Sequence, residues 1–211
     1  MYVPPAFAHD DPDGIAAFLA AHPLALVCVN GPEGPVAAHV PLVAVRDAQG
    51  AVVELVGHVA RANPFWELAD GAQALAVFRG ADAYVSPSAY PSKALHHKVV
   101  PTWNYEAAEL RGPLAVEADP ARMDRFVDLP TAMMEAARPR PWATSDAPAA
   151  YVGAMKRGIV GLSLAVTAVR AKRKLSQNKD ADDFHGVLSD LAASTDPGAR
   201  ATATAMAELA R

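Results

Sequence analysis

The sequence predicts a mainly β, α+β fold: an antiparallel barrel of six or seven strands with peripheral helices. Three observations carry this. Leu24–Val29, Val36–Val45 and Val52–Val59 are short runs rich in β-branched residues. Turn signals separate them, Asn30-Gly31-Pro32-Glu33-Gly34 and Asp47-Ala48-Gln49-Gly50. Strand runs follow one another without an intervening helical pattern, which favours antiparallel pairing over a parallel sheet.

Taken in order, Asp11-Pro12-Asp13-Gly14 starts a helix whose apolar stripe is Ile15, Phe18 and Leu19; its acidic residues sit at the positive end of the helix dipole. The three strand runs come next. Asn63-Pro64 then caps a short helix through Leu68, because Asn accepts first-turn N–H groups and proline suits the first helical position. Ala72–Phe78 and Ala83–Ser86 resume the strands, and the three prolines between Pro87 and Pro101 mark a loop. Pro101–Val116 reads as a long strand interrupted at Gly112-Pro113. Asp119-Pro120 opens a helix with Met123, Phe126, Val127, Met133 and Met134 apolar, kinked by Pro130. Arg138–Trp142 is a turn, Tyr151–Met155 at most a short helix, and Ile159–Val169 a strand. From Asp180 the chain carries one amphipathic helix around Val187, Leu188 and Leu191, then an alanine-rich one.

The 211 residues suit one large domain, or one domain with a small appendage; 52% are hydrophobic and 20% charged, which excludes disorder as the overall state. A formal net charge of −4 provides no global basic field for DNA or membrane. The single Cys28, inside an apolar run, excludes a disulfide framework and a Cys-rich metal site, and the seven histidines show no metal-ligand spacing. With neither an 18-residue apolar stretch nor a signal peptide in view, the expected location is the cytoplasm.

Four stretches are candidates for chemistry. Gly57–Trp66 is a strand end turning into a capped helix with Arg61 beside it, which suits a phosphate monoester; a plain strand–loop–helix with a solvated arginine is the commoner meaning of such spacing. In His39-Val40-Pro41-Leu42, alternation sends His39 and Pro41 to one face, and a lone strand histidine is usually an ordinary polar residue. Trp103, Asn104 and Tyr105 offer stacking and amide hydrogen bonds to a planar heterocycle, or equally plug a core. Between residues 156 and 179 there are seven basic residues and no acidic one. A bound phosphate, a nucleic-acid patch or neutralisation by Asp180, Asp182 and Asp183 each account for that run, and within it Gln177 and Asn178 suit a pyrimidine-type ring edge.

As a set, Met1–Phe7, His39–Leu42, Gly57–Pro64, Tyr84–Tyr90, Val100–Tyr105 and Lys174–Lys179 resemble the PaiB family of FMN-binding negative transcriptional regulators. The resemblance implies an FMN-binding split β-barrel over 1–192 and a homodimer with flavin at the subunit interface; the C-terminal helical tail over 193–211 adds nothing to it. It implies that His58, Arg61 and Asn63 meet the FMN phosphate and ribityl chain, and that His39, Val40 and Pro41 pass the isoalloxazine. Lys174, Gln177 and Asn178 match the C-terminal basic motif that reaches the flavin. Trp103 and Asn104 are added from their chemistry. The phosphate arginines of the related oxidases are not evident, and no helix-turn-helix is visible. A flavin reductase or oxidase using NAD(P)H, a haem protein ligated by His39, His58, His96 or His97, and direct DNA binding stay open as alternatives. No metal is expected.

Overall fold

The computed structural model describes residues 1–209; the last two residues of the expected tail, 210 and 211, lie outside the described residues. The elements are α1 (Pro12–Ala21), β1 (Leu24–Gly31), β2 (Gly34–Arg46), β3 (Val52–Ala60), α2 (Phe65–Ala69), β4 (Gln73–Val85), α3 (Lys93–His96), β5 (Thr102–Glu117), α4 (Asp124–Glu135), α5 (Ala149–Arg157), β6 (Ile159–Ala165), β7 (Ala168–Lys174), α6 (Ala181–Ala192) and α7 (Pro197–Leu209). Hydrogen bonding orders the strands β4-β1-β2-β3-β6-β5-β7, and a further β4–β5 pairing closes the first six into the ring of a barrel.

By contact density the chain forms two compact units. One comprises 1–10, 79–108 and 170–211; the other comprises 11–78 and 109–169. In the latter, Asp11 caps α1 by accepting from the Gly14 N–H at 2.8 Å. The β1–β2 hairpin closes on Pro32-Glu33, with Gly31 opposite Gly34. The register continues antiparallel through β2–β3 (Leu42 opposite Gly57) and β3–β6 (His58 opposite Gly161). Gly57 is required here, since a Cβ would lie 2.3 Å from the Pro41 carbonyl oxygen. Buried Val43 and Val56 meet Met123, which precedes α4, and Phe126 of α4, each contributing roughly 1.5–3 kcal/mol of apolar burial.

In the other unit, Ala83 and Val85 of β4, Leu175, and Val187 and Leu191 of α6 form one buried cluster with Ala203 and Met206 of α7. The alanine-rich composition of α7 lets it seat closely in that cluster. Among the described residues no helix is long and apolar enough to cross a membrane.

Several elements differ from their sequence patterns. β4 is one strand, not two, because it pairs with both β1 and β5. β5 passes through Gly112-Pro113 unbroken: the proline is exposed, and Gly112 admits the Ala165 carbonyl into the space a Cβ would fill, at 1.7 Å. Conversely, the run 159–169 is broken after Ala165, where the Thr167 N–H donates to the Arg111 carbonyl at 2.8 Å and redirects the chain. The basic run therefore begins as strand β7. α5 is nine residues long, longer than its pattern suggested.

Candidate functional site

In the unit formed by 11–78 and 109–169, β2 exposes His39 and Pro41 and buries Val40 and Leu42, as alternation predicts. His58 stands on β3, with Nδ1 2.8 Å from the Phe126 carbonyl oxygen. A carbonyl only accepts, so Nδ1 donates in this contact. His58 also lines a mostly apolar cavity of about 170 Å³ with Trp142, Tyr151 and Met155.

Arg61 is engaged locally. Its Nε donates to the Arg157 carbonyl at 2.9 Å, and Nη2 donates to those of Ala118 at 2.7 Å and Ile159 at 3.0 Å. Nη1 makes no hydrogen bond among the described residues. Asn63 accepts from the Phe65 N–H at 3.0 Å, an Asx turn that opens the five-residue α2. The indole N–H of Trp66 donates to the Arg61 carbonyl at 2.9 Å, closing the segment on itself.

In the other unit, β5 and β7 bring Trp103, Asn104 and Lys174 together. Lys174 Nζ donates to Thr102 Oγ1 at 2.6 Å and to the Trp103 carbonyl. Trp103 is 54% exposed and Tyr84 is 52% exposed, and their rings meet edge to face at 6.2 Å. Lys172 is only 6% exposed. Its Nζ donates to Tyr105 Oη at 2.8 Å and to the Tyr2 carbonyl at 3.3 Å, and lies over the rings of Tyr2, Phe7 and Tyr105. Among the described residues no carboxylate pairs with Lys172 or Lys174, whereas Arg173 pairs with Glu106 at 2.6 Å and Glu208 at 3.1 Å. Burial, reinforced by the charges of Lys172 and Lys179, pushes the Lys174 ammonium below the usual lysine range.

Asn104 is fully buried. Its amide nitrogen lies 2.9 Å from Ser176 Oγ and 3.5 Å from Met206 Sδ, and its amide oxygen lies 3.1 Å from the same hydroxyl. Gln177 folds back, donating to the Arg173 carbonyl and accepting from the Leu175 N–H at 2.7 Å. Asn178 is exposed. Lys179 Nζ sits 4.9 Å above the ring of Tyr90, whose buried hydroxyl has no partner among the described residues. Asp183 accepts from the Ser92 N–H at 3.0 Å and Oγ–H at 2.7 Å. Burial alone would raise its pKa, but the two Ser92 bonds, with Lys179 and His96, hold the carboxyl below the usual range.

Sequence reasoning took Lys172 only as one cation of the basic run and did not single out Tyr84 or Ser176 within their motifs. Lys172 and Tyr84 had a signal, being a cation without an acid nearby and a strand aromatic on the exposed parity; the backbone of Ser176 had none.

The chain is 28% identical to the protease synthase and sporulation protein PAI 2 of Bacillus subtilis over 98% of its own length and 96% of that protein's. In fold it is similar to the FAD and haem binding protein of Mycobacterium smegmatis, with 19% identity, a TM-score of 0.56, and 84% of this chain and 78% of that one covered. It is also similar to a conserved hypothetical protein of Mycobacterium tuberculosis, with 14% identity, a TM-score of 0.56, and 82% and 91% covered. Residues 1–168 match the family described as "Putative FMN-binding domain". The chain belongs to that family: it is a split-barrel protein of the FMN-binding domain family, with FMN as its cofactor.

Proposed function

We propose that the chain works as a cytoplasmic homodimer that holds FMN and serves gene regulation of the PaiB type. In this reading Trp103, Lys174, Gln177 and Asn178 attend the flavin ring and its polar edge. His58, Arg61 and Asn63 attend the phosphate and ribityl chain, and His39, Val40 and Pro41 run beside the isoalloxazine. The observation that carries the reading is Lys174: a half-buried cation without a carboxylate, held against the backbone of an exposed tryptophan. Cations desolvated without a counterion favour an anionic partner, and the Tyr84–Trp103 pair offers aromatic surface to a planar one. The residues present therefore fit FMN, which supplies an electron carrier when bound. The protein's own groups bind it: Lys174 donates to an anionic or carbonyl oxygen, the exposed Asn178 amide donates and accepts, and Arg61 Nη1 approaches phosphate. A two-fold partner is supported by Tyr84, Leu95, Val100 and Trp103, large apolar side chains left exposed in one unit.

Direct DNA binding is the weaker reading. Of the seven basic residues in 156–179, Lys156 pairs with Asp124, Arg173 with Glu106 and Glu208, and Lys172 is buried. The test is a titration of the purified protein with FMN and with riboflavin, repeated for Lys174→Gln and Arg61→Ala. FMN is expected to bind more tightly than riboflavin, and each variant to lose about tenfold in FMN affinity. Equal affinity for the two flavins, with both variants at wild-type affinity, refutes the assignment. Retention of DNA that falls steeply with salt would put the DNA reading in its place.

A further inference from the structure

Ser176 has a φ of +66°, a left-handed conformation that a residue with a Cβ rarely adopts, yet it is neither a glycine nor an asparagine. It is also buried, so solvent does not ease it. Strain of this kind persists only where the surroundings over-determine it. Here they do. The hydroxyl lies against both ends of the buried Asn104 amide, which Met206 Sδ of α7 backs from a third side. The turn is closed on itself as well: the Lys179 N–H donates to the Ser176 carbonyl at 3.0 Å, and Gln177 grips the backbone of 173 and 175. Beyond the turn, Lys179 rests on Tyr90, two residues from the Ser92 that Asp183 holds. Of the groups on the turn, Lys174 has no carboxylate partner among the described residues and bonds only Thr102 and the Trp103 carbonyl, while Asn178 and Lys179 are exposed.

We infer that Asn104 and Ser176 are positioning residues: the buried pair fixes the left-handed turn at 176 and so presents Lys174, Asn178 and Lys179 as a rigid constellation for the flavin. The inference rests on the reading that places the 174–179 turn at FMN. It assigns Asn104 a role behind the site. It also gives α7, which lies beyond the family-matched residues 1–168, a part in shaping the site through Met206.

The experiment combines FMN titration, visible circular dichroism of the bound flavin, and hydrogen exchange of the 173–180 segment. It is run on the full chain as Ser176→Ala, Ser176→Gly, Asn104→Ala and Lys174→Gln. Ser176→Ala keeps the conformational cost and removes the clasp, so FMN affinity is expected to fall about tenfold. Glycine adopts the turn freely, so Ser176→Gly should recover about fivefold of that loss. Asn104→Ala should speed exchange across 173–180 and alter the flavin dichroism, while exchange in β3 stays unchanged. Wild-type FMN affinity in Asn104→Ala and Ser176→Ala overturns the inference, and so does a glycine variant no better than alanine. If Asn104→Ala fails to fold, the alanine–glycine pair at 176 decides alone. Wild-type FMN affinity in Lys174→Gln removes the underlying reading, and the positioning role with it. A failure of the clasp alone leaves the Lys174→Gln loss in place, so the two failures are told apart.

Discussion

A lysine side chain whose ammonium is pushed below its usual range carries a direct pH consequence. Burial and the neighbouring Lys172 and Lys179 make the charged form of Lys174 costly in the free protein, and an anionic ligand relieves that cost. Ligand binding is therefore expected to take up protons on the alkaline side, with FMN affinity falling at a lower pH than an ordinary lysine would dictate. The sign for folding is separate: a cation with a depressed folded pKa weakens the native state below that pKa, and the penalty fades as pH rises through it. FMN titrations across the alkaline range, with Lys174→Gln as the control that should lose this limb, check the point. Arg61 makes a different residue-level case. Removing its side chain strips donors from the carbonyls of Ala118, Arg157 and Ile159, so Arg61→Ala should cost about 1–3 kcal/mol of stability in urea unfolding, independently of any flavin. At this scale the sequence made residue types legible and their engagement illegible. Gln177 and Asn178 are adjacent amides of similar chemistry, yet one is consumed by its own turn while the other is exposed. Only the backbone path around Ser176 decides which.

Among the elements, the hairpins were legible because their information is local: Pro32-Glu33 and Asp47–Gly50 punctuate apolar runs whose register follows from which residues must be buried. Elements decided by distant contacts were not. Gly80-Ala81-Asp82 carries turn chemistry, but β4 is held straight through it by partners on both sides, β1 and β5. The break between β6 and β7 falls at Val166-Thr167, two β-branched residues that a local reading assigns to a strand; an Arg111 carbonyl from β5 makes the difference. Gly112, opposite that break, is the element-level test. A methyl group there would overlap the Ala165 carbonyl, so Gly112→Ala should either prevent folding or lower stability by more than about 3 kcal/mol, far beyond the ordinary cost of a surface substitution. Thermal unfolding of the variant beside wild type measures it. A loss of under about 1 kcal/mol would mean that β5 is free to shift away from Ala165.

For the molecule as a whole, the expected state is a homodimer, and sedimentation at micromolar concentration should give about twice the 22.1 kDa chain mass. A single species at the chain mass would leave the exposed Tyr84, Leu95, Val100 and Trp103 without a two-fold partner. The chain path, with one unit built from three separated segments and the other from two, has a consequence for biosynthesis. Every residue of the unit comprising 11–78 and 109–169 is made before Arg170, while the other unit awaits the 42 residues 170–211. At about 5–20 residues per second, a ribosome takes roughly 2–8 s to supply them. When Arg170 is added, Asn104 and Glu106 already exist while their partners Arg173, Ser176 and Met206 do not, and of these Met206 is the last to be made. The lysine-bearing turn is thus made after every residue of the unit comprising 11–78 and 109–169, and the α7 helix that backs it is made later still.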